Sequence, residues 1–224
     1  MITTIYLIRH SVRFSSKLID SYNTNQDKLI KNEKIILSVS GEKRADILSK
    51  QEELQNIDKV YASNCVRTLL TAKYLLARQN LKVNIDDRLD ERRVGIPNDD
   101  LVKDWFERQY LDENYKTING ESQKMVRDRM MKVLDEILSN DRGKKVAVFT
   151  HGYAITFLLL NWCKLEEIRE DNGSHILKYS FNNKIIFDKK INSPEVFKLT
   201  FDEEKLINIE NIVFKDLPYE DTTN

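Results

Sequence analysis

The chain has 224 residues, 41% of them hydrophobic and 32% charged, with Lys+Arg and Asp+Glu equal at 36 each. That length holds one domain with insertions, and that balance reads as a soluble globular protein rather than a disordered or membranous one. A formal net charge of +0 gives no bulk field to recruit nucleic acid or an anionic membrane, so an anionic ligand must be drawn by a local cluster.

The N-terminus carries no basic region followed by a long apolar run, so no signal peptide is expected. The longest apolar stretch, "AITFLLL" at 154–160, is far too short to span a bilayer. Two cysteines, Cys65 and Cys163, do not make a disulfide framework, and a reduced, cytoplasmic setting is the expectation.

In chain order, "TTIYLI" at 3–8 predicts a short buried strand from its β-branched and aromatic content. Residues 15–36 are polar without clear periodicity and read as a loop or lid. "SGEKRADILSKQEELQ" predicts a helix with Ala45, Ile47, Leu48 and Leu54 as its apolar stripe. "DKVYAS" at 58–63 predicts a second strand, and "NCVRTLLTAKYLLARQ" a helix with Asn64 at its N-cap. "KVNIDDRL" reads as a third, weaker strand. Residues 92–118 are charged and aromatic, partly helical, with Trp105, Phe106, Tyr110 and Tyr115 as core or lid packing. "ESQKMVRDRMMKVLDEILS" places Met125, Val126, Met130, Val133, Leu134, Ile137 and Leu138 on one helical face, with Glu121 near its start as a capping carboxylate. "KKVAVFT" at 144–150 predicts a fourth strand and "AITFLLLNW" a buried helix.

Strands alternating with helices predict an α/β fold: a three-layer α/β/α sandwich whose sheet is mainly parallel. The tail differs. "SHILKYSFNNKIIFDKKI" holds two alternating runs around Asn182-Asn183, a hairpin signal, and "EVFKLTFDEEKLINIENIVF" holds another pair. These predict a C-terminal antiparallel β extension, about 174–214, continuing one edge of the sheet. The whole chain, 1–224, reads as a single domain with lid insertions at about 15–36 and 92–118.

In an open α/β sheet ligands bind beyond the carboxyl ends of the strands. The first strand delivers Arg9 and His10 there, with Ser11 and Arg13 following. The second delivers Ser63 and, in the next helix, Arg67; the fourth delivers Thr150, His151 and Gly152. Two imidazoles and several guanidiniums on one rim make a cationic pocket. Arginine offers permanent, bidentate charge to a phosphate. Histidine titrates near neutrality and can attack as a nucleophile. A carboxyl held protonated nearby could supply the leaving group's proton.

The segments "LIRHSVR", "YASNCVRTLLTA", "RLDERRVG", "NGES" and "VAVFTHGYAI", in this order and spacing, resemble the histidine phosphatase superfamily with its phosphoglycerate-mutase-like fold. The resemblance runs over roughly residues 3–160 and is weaker in the tail. It implies His10 as the phosphorylated nucleophile, Glu91 as proton donor, and Arg9, Arg67 and His151 as phosphate ligands. Arg13 matches the branch in which a later arginine also contacts phosphate. Ser11 stands where the family has glycine, so its hydroxyl either donates to the phosphate or crowds it.

The implied activity is a metal-independent phosphatase acting on phosphomonoesters through a phosphohistidine, with no cofactor and no nucleic acid or membrane as partner. The substrate class is a small phosphorylated compound, with a phosphoprotein left open, as is the oligomeric state. A phosphoglycerate-type mutase and a catalytically silent phosphate-binding module on the same fold remain as alternatives. No His-x-x-x-His, clustered cysteines or His-Glu pair occurs at ligand spacing, so no metal is expected. His175 lies outside every motif and reads as a surface or sheet histidine.

Overall fold

The computed structural model describes residues 1–14, 32–95, 104–171 and 174–217. Most of the first expected lid and residues 96–103 of the second lie outside these.

The apolar run near the N-terminus forms β1 (Ile2–Arg9), which lies parallel to β4 (Lys145–Thr150). The two strands alternate in step. Ile5 and Leu7 join Val146 and Val148 in one apolar cluster, while Tyr6 and Ile8 join Ala147 and Phe149 in another. Both faces are covered, which is why these strands read as continuous apolar runs rather than alternating ones.

β2 (Lys59–Ala62) pairs with β4 on its other side, and β3 (Val83–Ile85) with β2, all parallel. β8 (Val196–Asp202) and β9 (Lys205–Ile212) complete a six-stranded sheet ordered β3-β2-β4-β1-β8-β9, the last two strands antiparallel. Helices α1 (Val39–Ser49) and α2 (Val66–Gln79) cover one face through Leu48, Ala72 and Leu75. Three more cover the other: α3 (Trp105–Leu111), α4 (Gln123–Asn140) and α5 (Gly152–Leu159). The expected three-layer α/β/α architecture is present.

The stripe of α4 is the one expected, apart from Met125, which is 42% exposed. Each buried Leu, Ile or Val contributes roughly 1.5–3 kcal/mol, which outweighs helix propensity. Ser122, not Glu121, caps this helix, accepting from the Met125 amide at 3.2 Å. Glu121 is buried and pairs instead with Arg129, Nε to Oε1 at 2.9 Å, and accepts from the Arg93 amide. The cap of α2 falls on Cys65 rather than Asn64, whose amide is drawn to the Asp90 carboxylate at 3.3 Å. Phe106 and Tyr110 pack into the core, with Trp105 partly buried against it.

The tail departs from expectation in one respect. Strands β8 and β9 extend the main sheet, but β6 (Ser174–Phe181) and β7 (Lys184–Lys189) do not. They join β5 (Lys164–Asp171) in a separate three-stranded antiparallel sheet. The β-rich part therefore begins earlier than residue 174. Asn182 and Asn183 both take positive φ, 49° and 63°, the backbone that a two-residue hairpin turn requires. Tyr179 seats this small sheet on α5, its hydroxyl donating to the Thr156 carbonyl at 3.2 Å. Among the described residues no helix is long and apolar enough to cross a membrane.

Candidate active site

The strand order β2-β4-β1 decides which residues meet. Arg9 is in register with Thr150, and the His10 amide donates to the Thr150 carbonyl at 2.9 Å. His10 and His151, far apart in the chain, thus leave adjacent strands side by side, their ring centroids 5.2 Å apart and edge to face. On the other flank the Ser63 amide donates to the Phe149 carbonyl, which brings Ser63 beside His151.

Hydrogen-bond partners define both imidazoles. His10 Nδ1 lies 2.7 Å from the Ser11 carbonyl, which can only accept, so Nδ1 carries the proton and the lone pair of the neutral ring is on Nε2. Arg67 can only donate, so its Nη2, 3.0 Å from His151 Nδ1, makes that nitrogen an acceptor. His151 Nε2 then donates to Ser63 Oγ at 2.8 Å. The chain continues from Ser63 to Thr68 Oγ1 at 2.9 Å, whose own proton goes to the Cys65 carbonyl at 2.6 Å. Burial, then Arg67 and Arg9, hold His10 well below the usual imidazole range. Burial, then Arg67, do the same to His151. These causes favour the neutral form of both rings.

Arg9 is anchored through Nη1, which donates to the carbonyls of Ile191 at 2.7 Å and Asn192 at 3.0 Å. It lies across the first residue of α5: a Cβ on Gly152 would stand 3.2 Å from Arg9 Nε. The glycine of the Thr-His-Gly segment is therefore the clearance for an arginine from a different strand. Arg67 is buried and its Nη1 donates to the Asn32 carbonyl, which brings the described end of the first lid region to this rim. Burial lowers both guanidiniums from their ordinary value. Their Nε atoms are buried without a hydrogen-bond partner among the described residues. Arg13 is exposed and bridges to Leu37, and its positive charge adds to the lowering of His10, Arg9 and Arg67.

Ser11 has its hydroxyl engaged within the fold. It is fully buried, its hydroxyl donates to the Gly41 carbonyl at 2.8 Å, and its amide donates to Thr71 Oγ1 at 2.9 Å. Its one hydroxyl proton is spent on holding α1 against the exit of β1. Gly41 itself must lack a side chain, since a Cβ there would stand 2.0 Å from the Val12 carbonyl oxygen.

Glu91 sits over the N-terminus of α5. Its Oε1 accepts from the Ala154 amide at 3.0 Å and the Arg92 amide at 2.9 Å, and Oε2 accepts from the Tyr153 amide at 3.3 Å. The helix dipole favours negative charge at this place. Glu91 in turn raises the pKa of Arg9 and Arg67, so its charge is felt at the same rim.

Several residues here were not singled out as site residues from the sequence. Ser63 was visible as the residue after a strand, in the same position as His10 and His151. Arg92, buried beside the rings of Tyr153 at 4.5 Å and Trp105 at 5.2 Å, had no local signal. Cys65, Asp90 and His151 offer one ligand atom each within 4.8 Å of one another, a grouping of potential metal donors that chain spacing did not indicate. Burial raises the Asp90 carboxyl to about 6 and the Cys65 thiol to about 11. His175 is a strand residue of the small sheet, stacked on Phe106.

Comparison with known proteins gives concordant results. Over residues 5–179 the chain matches the family model of the histidine phosphatase superfamily (branch 1). It is 30% identical over 123 residues to phosphoserine phosphatase 1 of Hydrogenobacter thermophilus, covering 51% of this chain and 58% of that protein. It is 30% identical over 131 residues to a probable phosphoglycerate mutase of Yersinia enterocolitica, covering 55% of this chain and 61% of that one. The similarity thus spans less than two thirds of either relative. In fold, the chain is similar to a mycobacterial glucosyl-3-phosphoglycerate phosphatase, with TM-score 0.63 and 17% identity over 96% of this chain and 99% of the other. It is also similar to a phosphoglycerate mutase from Bacillus anthracis, with TM-score 0.60 and 17% identity over 94% and 92%. With its sheet, its paired histidines and the family match over most of its length, the chain belongs to branch 1 of the histidine phosphatase superfamily.

Proposed function

We propose that this protein is a metal-independent phosphatase that hydrolyses phosphomonoesters through a phosphohistidine on His10. The observation that carries the reading is that Arg9 and Arg67, flanking His10 and His151, bury Nε donors that have no hydrogen-bond partner among the described residues. An unpaired buried donor costs about 1–3 kcal/mol. Two at one rim are best accounted for by an acceptor that arrives with the substrate, and a phosphoryl group supplies several.

In this mechanism Arg9, Arg67 and Arg13 hold the phosphoryl oxygens, and His151 joins them by turning its Nε2–H from Ser63 to the substrate. His10 Nε2 attacks phosphorus and the P–O ester bond breaks. The leaving oxygen takes a proton from Glu91. Water then attacks the phosphohistidine, returns a proton to Glu91 and releases inorganic phosphate. The cations face the equatorial oxygens, where charge is spread in the transition state. Ser11 makes no phosphate contact in this scheme; its hydroxyl donates to the Gly41 carbonyl.

The test is hydrolysis of p-nitrophenyl phosphate with EDTA present, comparing wild type with His10→Ala. Turnover that persists in EDTA and disappears in His10→Ala supports the mechanism. Turnover retained by His10→Ala refutes it. Partial similarity to a probable phosphoglycerate mutase favours a second reading, phosphoryl transfer between phosphoglycerates. Stoichiometric transfer to phosphoglycerate with slow hydrolysis would select it. The two cysteines are free and buried, in keeping with the cytoplasmic setting we infer.

A further inference from the structure

Two residues that the proposed reaction does not use converge on the ring of His151. Cys65 starts α2 and is buried; Asp90 follows the short 3-10 turn Asp87–Leu89. Cys65 Sγ lies 4.0 Å from Asp90 Oδ1, and both lie within 4.8 Å of an imidazole nitrogen of His151. The Asn64 amide, donating to Asp90 Oδ1 at 3.3 Å, already ties the two segments together.

Sulfur, imidazole nitrogen and carboxylate oxygen are the donor set that Zn²⁺ prefers, in tetrahedral geometry with bonds of about 2.0–2.3 Å. Ligand atoms in such a site stand roughly 3.5 Å apart, so the three here, within 4.8 Å of one another, close by about 1.3 Å at most. The neighbouring Arg67 opposes a cation, but a thiolate and a carboxylate neutralise the ion's two charges, leaving a site with no net charge. The thiol proton leaves to solvent as the metal–sulfur bond forms. Both His151 nitrogens are already engaged, one by Arg67 and one by Ser63. A metal on this ring must displace one of them.

We propose that Cys65, Asp90 and His151 form an inhibitory Zn²⁺ site, which withdraws His151 from the phosphoryl group. The regulatory half rests on the phosphatase reading above; the binding half does not. Zinc locks the enzyme and a chelator releases it, so the same protein is metal-independent in catalysis and metal-sensitive in control.

The experiment has two arms on the full-length, metal-stripped protein. In the first, Co²⁺ is titrated as a spectroscopic substitute for zinc. Wild type and Cys163→Ser develop a near-ultraviolet thiolate-to-cobalt charge-transfer band, and Cys65→Ser does not. Absence of the band in wild type, or its survival in Cys65→Ser, overturns the site. In the second, Zn²⁺ is added during p-nitrophenyl phosphate hydrolysis. Inhibition is reversed by EDTA, and Cys65→Ser and Asp90→Asn raise the half-inhibiting concentration roughly tenfold or more. Equal inhibition of all variants overturns the proposal. If wild type turns over no phosphomonoester, the phosphatase reading fails while the cobalt spectrum still decides the site.

Discussion

Arg67 Nη2 donates to Nδ1 of His151 at 3.0 Å, and this one bond couples the charge state of the histidine to the guanidinium beside it. Burial and Arg67 keep His151 neutral, and the same causes with Arg9 keep His10 neutral. In the unfolded chain both titrate near the ordinary value of about 6.5. As pH falls, the unfolded state therefore takes up protons first. The stability these groups provide is complete above about pH 6.5 and is lost below it, by up to ~1.4 kcal/mol per pH unit for each histidine, until the folded values are reached. We expect the denaturant midpoint to fall steadily between about pH 6.5 and 5, and to fall less steeply in His10→Gln. A flat profile would mean that neither ring is held neutral.

Ser11 tests whether a hydroxyl near a phosphate site touches the phosphate. Its bond to the Gly41 carbonyl predicts that Ser11→Ala lowers stability by about 1 kcal/mol. The KM for p-nitrophenyl phosphate and inhibition by inorganic phosphate stay unchanged. A KM increase of roughly tenfold, the loss of a charge-assisted hydrogen bond, would return the hydroxyl to the phosphate.

Gly152→Ala separates activity from stability. The new Cβ would meet Arg9 Nε at 3.2 Å, so the guanidinium must give by a few tenths of an ångström. A shift of that size at a phosphate ligand lowers kcat/KM about tenfold. The contact is confined to the Arg9 side chain, so the loss falls on activity and thermal stability changes by no more than about 1 kcal/mol. Unchanged kinetics would remove Arg9 from the reacting centre.

Leaving-group dependence tests Glu91 as the acid, with Glu121, paired to Arg129, as the control. Glu91→Gln keeps an acceptor for the Ala154 amide but has no proton to give. We expect kcat to drop about 10²–10⁴-fold on an alkyl phosphate and far less on p-nitrophenyl phosphate, whose phenolate leaves unaided. Glu121→Gln breaks the buried pair with Arg129 and costs up to about 3 kcal/mol of stability, with kcat on either substrate unaltered. The reverse pattern would move the acid to Glu121.

Much of this was legible from local pattern. The strands around Tyr6, Tyr61 and Val148 announce themselves because both faces are covered, and α4 because its stripe repeats every turn. The Asn182-Asn183 turn was readable because asparagine tolerates positive φ. Strand β5 was not. A register shift between Leu165 and Glu167 breaks its two-residue alternation, so its inward residues Leu165 and Ile168 fall three apart in a charged segment. Nor did local pattern separate β6 and β7 from the main sheet. Their inward side chains, Leu177, Tyr179 and Phe187, suit any apolar surface, and the one they meet belongs to a core formed largely by α4 and α5.

From sequence alone came the fold class, the two histidines and the arginines around them, because period and motif are properties of neighbouring residues. Tertiary structure decided the rest. Parallel pairing of β1 with β4 set His10 against His151. A helix folding back across β1 took the Ser11 hydroxyl away from the rim. The carbonyl of Ser11 and the guanidinium of Arg67 chose the protonated nitrogen on each ring. The approach of the Asp87–Leu89 turn to α2 brought Asp90 to Cys65. A hydrogen bond or a ligand set is a matter of distance, and distance between segments remote in the chain exists only once strands have paired and helices have packed.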